Sequence, residues 1–168
     1  MEFVDRVTED DRVLEKVLRS QCHGNPHLIH RAAHVLLFNS QGQLLLQKRS
    51  MNKDIQPGKW DTSVGGHVES GEDYEKAAYR ELGEELGIKD VPLEYLYDYK
   101  MRNEVESENI RSYQCKYDGP ILFNHDEIDE IRFWDIAAIV RQLGSGVFTP
   151  NFEQEIKLYF IHKNKMFS

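Results

Sequence analysis

The sequence predicts an α/β fold in which a mixed β-sheet is covered on both faces by helices. Three observations carry this expectation. Short apolar or alternating runs that read as strands lie on both sides of one Glu-rich helical stretch, turn residues separate those runs, and a second amphipathic helical stretch closes the chain. The 168 residues are about the size of one domain and suffice for a substantial core. A single domain over 1–168 is therefore expected, with 1–31 as an N-terminal extension.

Taken in order, residues 1–30 are open between two forms. Val13, Leu14, Val17 and Leu18 fit one face of a helix, whereas 3–7 and 12–17 around Glu9-Asp10-Asp11 fit a hairpin. An apolar run at 32–38, the turn Asn39-Ser40-Gln41-Gly42 and a second run at 43–49 read as a β-hairpin. A loop over 50–59 ends in Pro57-Gly58, and 60–64 reads as a short strand entering a glycine turn. Beyond the Glu-rich helix, 94–101 and 109–117 alternate as strands, and Asp118-Gly119-Pro120 is a break. Residues 131–134 read as a further strand, 136–143 as a helix and 152–163 as an amphipathic helix.

The Glu-rich helix is the most informative element. Ser70 suits its N-cap, and Asp73 three residues on completes a capping box. Glu72 opens the first turn, where a carboxylate suits the helix dipole. Ala77, Ala78, Leu82 and Leu86 recur at helical spacing as a buried stripe, and Gly87 follows as C-cap. Glu81, Glu84 and Glu85 stand at i, i+3 and i+4, so their carboxylates are expected on one face within one turn. Arg80 pairs with Glu84 at i, i+4, and Glu72, two turns earlier, can reach Arg80. A solvated acidic face is the plain alternative. Three repelling carboxylates in one turn cost stability unless a cation neutralises them, and Mg²⁺ or Mn²⁺ favours such oxygen donors while keeping waters for a phosphate to displace.

Composition narrows the classes. A net charge of −8 argues against duplex nucleic acid or a membrane surface as partner, since both attract a basic footprint. Two cysteines, Cys22 and Cys115, give no disulfide framework, and no apolar run is long enough to span a bilayer. Met1-Glu2-Phe3-Val4-Asp5 does not read as a signal peptide, so a cytoplasmic location is expected, and a homodimer is left open.

Gly66-His67-Val68-Glu69-Ser70-Gly71-Glu72, followed by Arg80-Glu81-Leu82-Gly83-Glu84-Glu85-Leu86-Gly87-Ile88, fills every fixed position of G-x5-E-x7-R-E-(apolar)-x-E-E-x-G-(apolar). In this motif, residues 66–88, the chain resembles the Nudix hydrolases. The resemblance extends from residue 32 to the C-terminus and implies an α/β/α sandwich. By position it implies Glu81, Glu84 and Glu85 as metal ligands, Glu72 and Arg80 as a brace between loop and helix, and Gly66 at a sharp turn facing metal and substrate. The implied reaction is hydrolysis of a nucleoside diphosphate derivative, with a carboxylate base activating water and a divalent metal on the phosphoryl oxygens.

A narrower resemblance is to isopentenyl-diphosphate isomerase. It rests on His23 and His30, Leu37-Phe38-Asn39, Gly42-Gln43-Leu44-Leu45, Pro57-Gly58-Lys59-Trp60 and Ser63-Val64-Gly65-Gly66-His67. It implies metal binding by His23, His30 and His67 and a diphosphate grip by Arg49 and Lys53. The isomerase protonates its substrate with a cysteine in S-V-C-G-H; Gly65 stands at that place. Its second catalytic group is a glutamate in an E-x-E pair. Glu108-Asn109-Ile110 is the preferred match and lacks the second acid, while the register Glu106-Ser107-Glu108 would restore it.

Other residues admit quieter readings. His23, His27, His30 and His34 cluster with Cys22 but fit no zinc spacing, and surface or capping histidines are commoner than ligands. Of these and His67, His67 is favoured for metal because it adjoins Gly66. Trp60, Tyr97, Tyr99 and Tyr113 could stack on a base, though strand aromatics are more often core. Glu127 and Glu130 compete with Glu108, Glu81 and Glu85 as general base, against the alternative of a solvated acidic loop. A hydrolase leads, an isomerase follows, and a non-catalytic nucleotide sensor is third because its motif would usually be eroded.

Overall fold

The structure is a computed structural model that describes residues 1–166. Its central strand is β3 (Ile29–Phe38), whose alternation sorts side chains onto two faces. Ala33, Val35 and Leu37 join a core with Ala77, Ala78, Leu82 and Leu86 of helix α2 (Tyr74–Leu86), while Leu36 joins a second core with Phe152, Ile156 and Tyr159 of helix α4 (Pro150–Met166). A mixed sheet thus lies between helices, as the sequence predicts. On one edge β3 pairs in parallel with β8 (Ser107–Lys116), from Ile29↔Ser107 to Phe38↔Lys116, and β7 (Glu94–Arg102) pairs antiparallel with β8.

The other edge departs from the expected simple hairpin. β3 and β4 (Leu44–Arg49) meet only at Phe38↔Leu44 and then separate. The expected single strand at 60–64 is two short strands lying in that split: β5 (Trp60–Asp61) pairs with β4, and β6 (Val64–His67) pairs with β3. β9 (Ile128–Trp134) pairs along β4, which leaves β3 and β5 to share the opposite edge of that strand. Ser63, fully buried between β5 and β6, stitches the split: its hydroxyl accepts from the Leu37 amide at 3.0 Å and donates to the Leu45 carbonyl. Gly65 and Gly66 are therefore strand residues with ordinary φ, and the positive-φ glycine of the turn ahead of the motif helix is Gly71, at φ 84°.

The N-cap of α2 also differs from expectation. Asp73 caps it, accepting from the Lys76 amide at 2.8 Å, while the Ser70 hydroxyl donates to Asp5 at 2.7 Å. Ser70 is used to hold the N-terminal hairpin, so the expected capping box does not form and Glu72 stays in the loop. Gly87 ends the helix at φ 66°, as expected. Helix α3 (Ile136–Gln142) follows β9.

The ambiguous N-terminus is a hairpin of β1 (Phe3–Val7) and β2 (Val13–Leu18), followed by the short helix α1 (Arg19–Cys22). Asp11 in its turn accepts from Arg31 of β3 at 3.0 Å, Tyr74 of α2 at 3.0 Å and Asn109 of β8 at 3.1 Å. One carboxylate so binds the extension to three elements of the sandwich. Cys22 and Cys115 are buried and unpaired.

Because both lone-pair and proton contacts of Ser63 are buried, Ser63→Ala is expected to lower unfolding stability by roughly 1–3 kcal/mol in urea denaturation. Unchanged stability would mean that the split is held by strand pairing alone.

Candidate functional site

Arg80 organises the site. Its Nε and Nη2 donate to the two carboxylate oxygens of Glu72 at 2.9 and 3.0 Å, Nη2 also donates to the His67 carbonyl at 2.9 Å, and Nη1 reaches Glu81 at 2.7 Å and Glu84 at 3.2 Å. The fork geometry of guanidinium allows this simultaneous use of its donors. Glu72 itself accepts from the Glu69 amide at 3.0 Å. The expected Glu72–Arg80 brace is thus formed, and it ties the loop, α2 and β6 together. Burial acts against ionisation of Glu72, but the Arg80 contact outweighs it and holds the carboxyl below its ordinary range.

The three motif carboxylates separate more than helical spacing suggests. A Cβ built on Gly66 would stand 2.2 Å from Cδ of Glu81, so Glu81 lies directly against that glycine. Gly66 serves a close approach, which corrects the expected turn role. Glu85 turns inward, accepting from Gln47 Nε2 at 3.2 Å and the Gly65 amide at 3.3 Å, while Glu84 is exposed beside Arg80. Burial raises Glu81 despite Arg80, and burial with the charge of Glu81 pushes Glu85 up to about 8. The three feel one another's charge without converging as a ready ligand set, and Arg80 supplies the positive charge between two of them.

A second cluster does converge. Ligand atoms of His30, His67, Glu106 and Glu108 all lie within 4.8 Å of one another. The parallel register sets His30 beside Glu108, and a single oxygen of Glu108 faces Nε2 of His30 at 3.2 Å and Nε2 of His67 at 3.4 Å. His23 Nδ1 stands 3.4 Å from Glu106. Both ring nitrogens of the fully buried His30 lack a well-angled hydrogen bond, so the 3.2 Å approach to Glu108 is electrostatic. Burial opposes charge on His30, yet Cys22 and Glu108 draw its pKa up to about 10, and the two imidazoles outweigh burial to hold Glu108 low. His67 lies among these groups and is also near enough to act electrostatically on Glu81; successive residues of β6 point to opposite faces, Gly66 toward Glu81 and His67 toward Glu108. Of the two registers, the geometry brings Glu106 and Glu108 together at this cluster, whereas Ile110 is apolar and packs with Ala32 and Met101.

A NUDIX domain model matches residues 28–152. The chain belongs to the Nudix hydrolase family. An uncharacterized Nudix hydrolase of Pseudomonas aeruginosa is 34% identical over 94% of this chain and 93% of its own length. The isopentenyl-diphosphate Delta-isomerase of Escherichia coli is also 34% identical, over 76% of this chain and 75% of its own. Among solved structures, DR0079 from Deinococcus radiodurans superposes with a TM-score of 0.81 at 27% identity, covering 93% of this chain and 98% of that one. No described helix of this Nudix chain is long and apolar enough to cross a membrane.

Around the Nudix motif, Arg49 contacts Asp61 at 3.6 Å and donates to the Ile55 carbonyl at 3.0 Å. Lys53 is paired with Glu127, and burial and the neighbouring Arg49 lower its pKa while Glu85 opposes. Two adjacent cations beside Glu85 suit an anion. Glu130 is exposed on β9, opposite Lys48. The aromatics expose no stacking platform: Trp60 and Tyr113 are core, and Tyr97 and Tyr99 donate to Glu155. An open groove of about 760 Å³ by Phe38, Lys116 and Phe160 contains none of the motif residues.

Sequence reading named His34 only as one of a histidine cluster and passed over Glu155 and Gln47. A signal for Glu155 existed: it is the lone acid beside Phe152, Ile156 and Tyr159 on the buried stripe of α4. Since folded Glu85 keeps its proton to about 8 and an unfolded glutamate only to about 4.5, metal-free protein is expected to lose stability as pH rises across that window. Thermal melts from pH 5 to 8 check this, and Glu85→Gln should flatten the profile; a flat wild-type profile would contradict the buried proton.

Proposed function

We propose that this protein is a Mg²⁺- or Mn²⁺-dependent pyrophosphohydrolase that cleaves the diphosphate linkage of a nucleoside diphosphate derivative or related phosphorylated metabolite. The observation that carries the reading is the intact Arg80 assembly: Glu72 braces the guanidinium, whose single charge is shared with Glu81 and Glu84 beside the inward Glu85. Such a cluster is costly to maintain unless a cation shares it.

The donors fit a hard divalent ion. Glu81, Glu84 and Glu85 would hold it, and the absent side chain of Gly66 leaves the space that Glu81 occupies. When bound, the metal supplies charge neutralisation on the phosphoryl oxygens. Arg49 and Lys53 grip the diphosphate, while Glu85 takes the proton of the attacking water; the new P–O bond forms as the bridging P–O bond breaks toward the leaving phosphate. Glu108 faces two histidines, Glu81 is ion-paired with Arg80, and Glu127 and Glu130 lie at Lys53 and Lys48, which favours Glu85 as base once bound metal has displaced its proton. The imidazole and carboxylate donors of His30, His67, Glu106 and Glu108 fit a second divalent ion, displacing the protons they share. For His67 Nε2 to ligate, Arg19 must withdraw its 2.8 Å hydrogen bond from Nδ1.

That second cluster favours an alternative reading, isomerisation of isopentenyl diphosphate. Against it stands Gly65, where no thiol is present to protonate carbon. Incubating the protein and Mg²⁺ with isopentenyl diphosphate and, separately, with nucleoside diphosphate sugars, ADP-ribose and dinucleotides decides the matter by product analysis. Nucleotide hydrolysis without dimethylallyl diphosphate is expected; the opposite pattern overturns the proposal.

Within the hydrolase, Glu84→Gln and Glu85→Gln are each expected to lower kcat by roughly 100-fold or more, and the double variant to lose little beyond the worse single one, because the carboxylates act as one unit. Full turnover by Glu85→Gln would remove the assignment. Arg49→Ala and Lys53→Ala should raise KM about tenfold with less effect on kcat, as expected for charged contacts made equally before and during reaction.

A further inference from the structure

On the face of β6 opposite α2, Gly65 pairs with His34 of β3. His34 Nδ1 lies 2.8 Å from Oε1 of Glu155, which is fully buried on α4. Glu155 also receives Ser112 Oγ at 3.0 and 3.1 Å, Tyr99 OH at 3.2 Å and a short contact from Tyr97 OH. The three hydroxyls donate to the Glu155 oxygens, and the contact with Glu155 favours the protonated His34 ring against its burial. The Nδ1 of His34 therefore carries a proton, and the nitrogen left for other work is Nε2.

That nitrogen lies beside Gly65, and the His34 side chain keeps 12% exposure. A Cβ built on Gly65 would stand 3.2 Å from Nε2 and 3.1 Å from Cδ2 of the ring, so any side chain there would cover this edge. Glycine leaves it bare beside exposed backbone, and no hydrogen bond to Nε2 occurs among the described residues. Gly65 also gives its amide to Glu85 at 3.3 Å, so the imidazole edge and the innermost motif carboxylate meet at one residue. Asp61, which faces Arg49, acts electrostatically on both His34 and Glu85, placing all of them in one neighbourhood.

We propose that His34 contacts substrate, its Nε2–H donating to a phosphate oxygen bound over Gly65, with Glu155 as the positioning residue. The assignment rests on the diphosphate reading above and extends its anion grip, supplied by Arg49 and Lys53, to a third cation on the far side of Gly65. Burial opposes the imidazolium, but the contact with Glu155 outweighs it and holds the His34 pKa above the ordinary value, so the donor form is available. A purely structural network would hold Glu155 without needing an open ring edge.

The test is to titrate full-length protein, labelled with ¹⁵N-histidine, with methylenediphosphonate, with and without Mg²⁺, and to measure affinity by calorimetry. The His34 Nε2 resonance should move on saturation, and the dissociation constant should rise about tenfold or more in His34→Leu, with partial recovery in His34→Gln, which keeps a neutral donor. Gly65→Val covers the ring edge without touching Glu155 and should weaken binding similarly. Tyr99→Phe removes one hydroxyl from Glu155 and should lower the melting temperature but leave affinity unchanged, separating contact from structural support. A stationary His34 resonance while calorimetry reports binding, unchanged affinity in a folded Gly65→Val protein, or no binding by the wild type each overturns the proposal. No turnover is read, so a protein that binds through His34 yet hydrolyses nothing would remove the hydrolase reading and leave this contact standing.

Discussion

Two missing side chains on consecutive residues of β6 govern the arrangement of charge in this protein. A Cβ on Gly66 would fall inside the space of Glu81, and one on Gly65 would press on the His34 ring. Because alternate strand residues face opposite sides of a sheet, the glycine pair lets functional groups close on β6 from both layers at once. Both glycines have ordinary φ, so their requirement is space rather than backbone conformation. This differs from the usual reason for glycine near a helix N-terminus, and it makes β6 the thin wall on which both candidate sites depend.

Electrostatics then separates the two sides. On the α2 side one guanidinium is shared by three acids and hydrogen-bonds a strand carbonyl, which leaves net negative charge, and Glu85 meets its own burial by keeping a proton. On the other side Glu108 faces two imidazoles, and Glu155 meets His34 and three hydroxyls. Each buried acid has a different remedy. Only Glu85 is answered by weak donors alone, an amide side chain and one backbone N–H.

The family contains chemistries that share this frame, and the chain carries features of two of them. The motif helix and its arginine brace belong to hydrolysis of phosphoanhydrides. The histidine–glutamate cluster is placed where the resemblance to the isomerase implies metal, and the parallel β3–β8 register completes it. What is absent is the carbon acid at Gly65. Imidazole and carboxylate groups without the proton donor fit the proposed hydrolase, since hydrolysis needs no carbon protonation.

The sequence by itself determined the family, the Glu72–Arg80 brace, the buried stripe of α2 and most strands, because these depend on local spacing and on side-chain type. Asp73 as cap, the split of β3 from β4 and the strand character of Gly65-Gly66 were decided by tertiary structure: Ser70 is drawn off to Asp5, and Ser63 bridges strands that a hairpin rule would join. The second cluster was legible only as an alternative register, since Glu106 and Glu108 lie far along the chain from His30 and His67 and meet them through parallel pairing that no local pattern encodes. His34 and Glu155 were not legible as partners at all. They are 121 residues apart, and only packing of α4 on the sheet brings a carboxylate to an imidazole whose outer edge a glycine has left open.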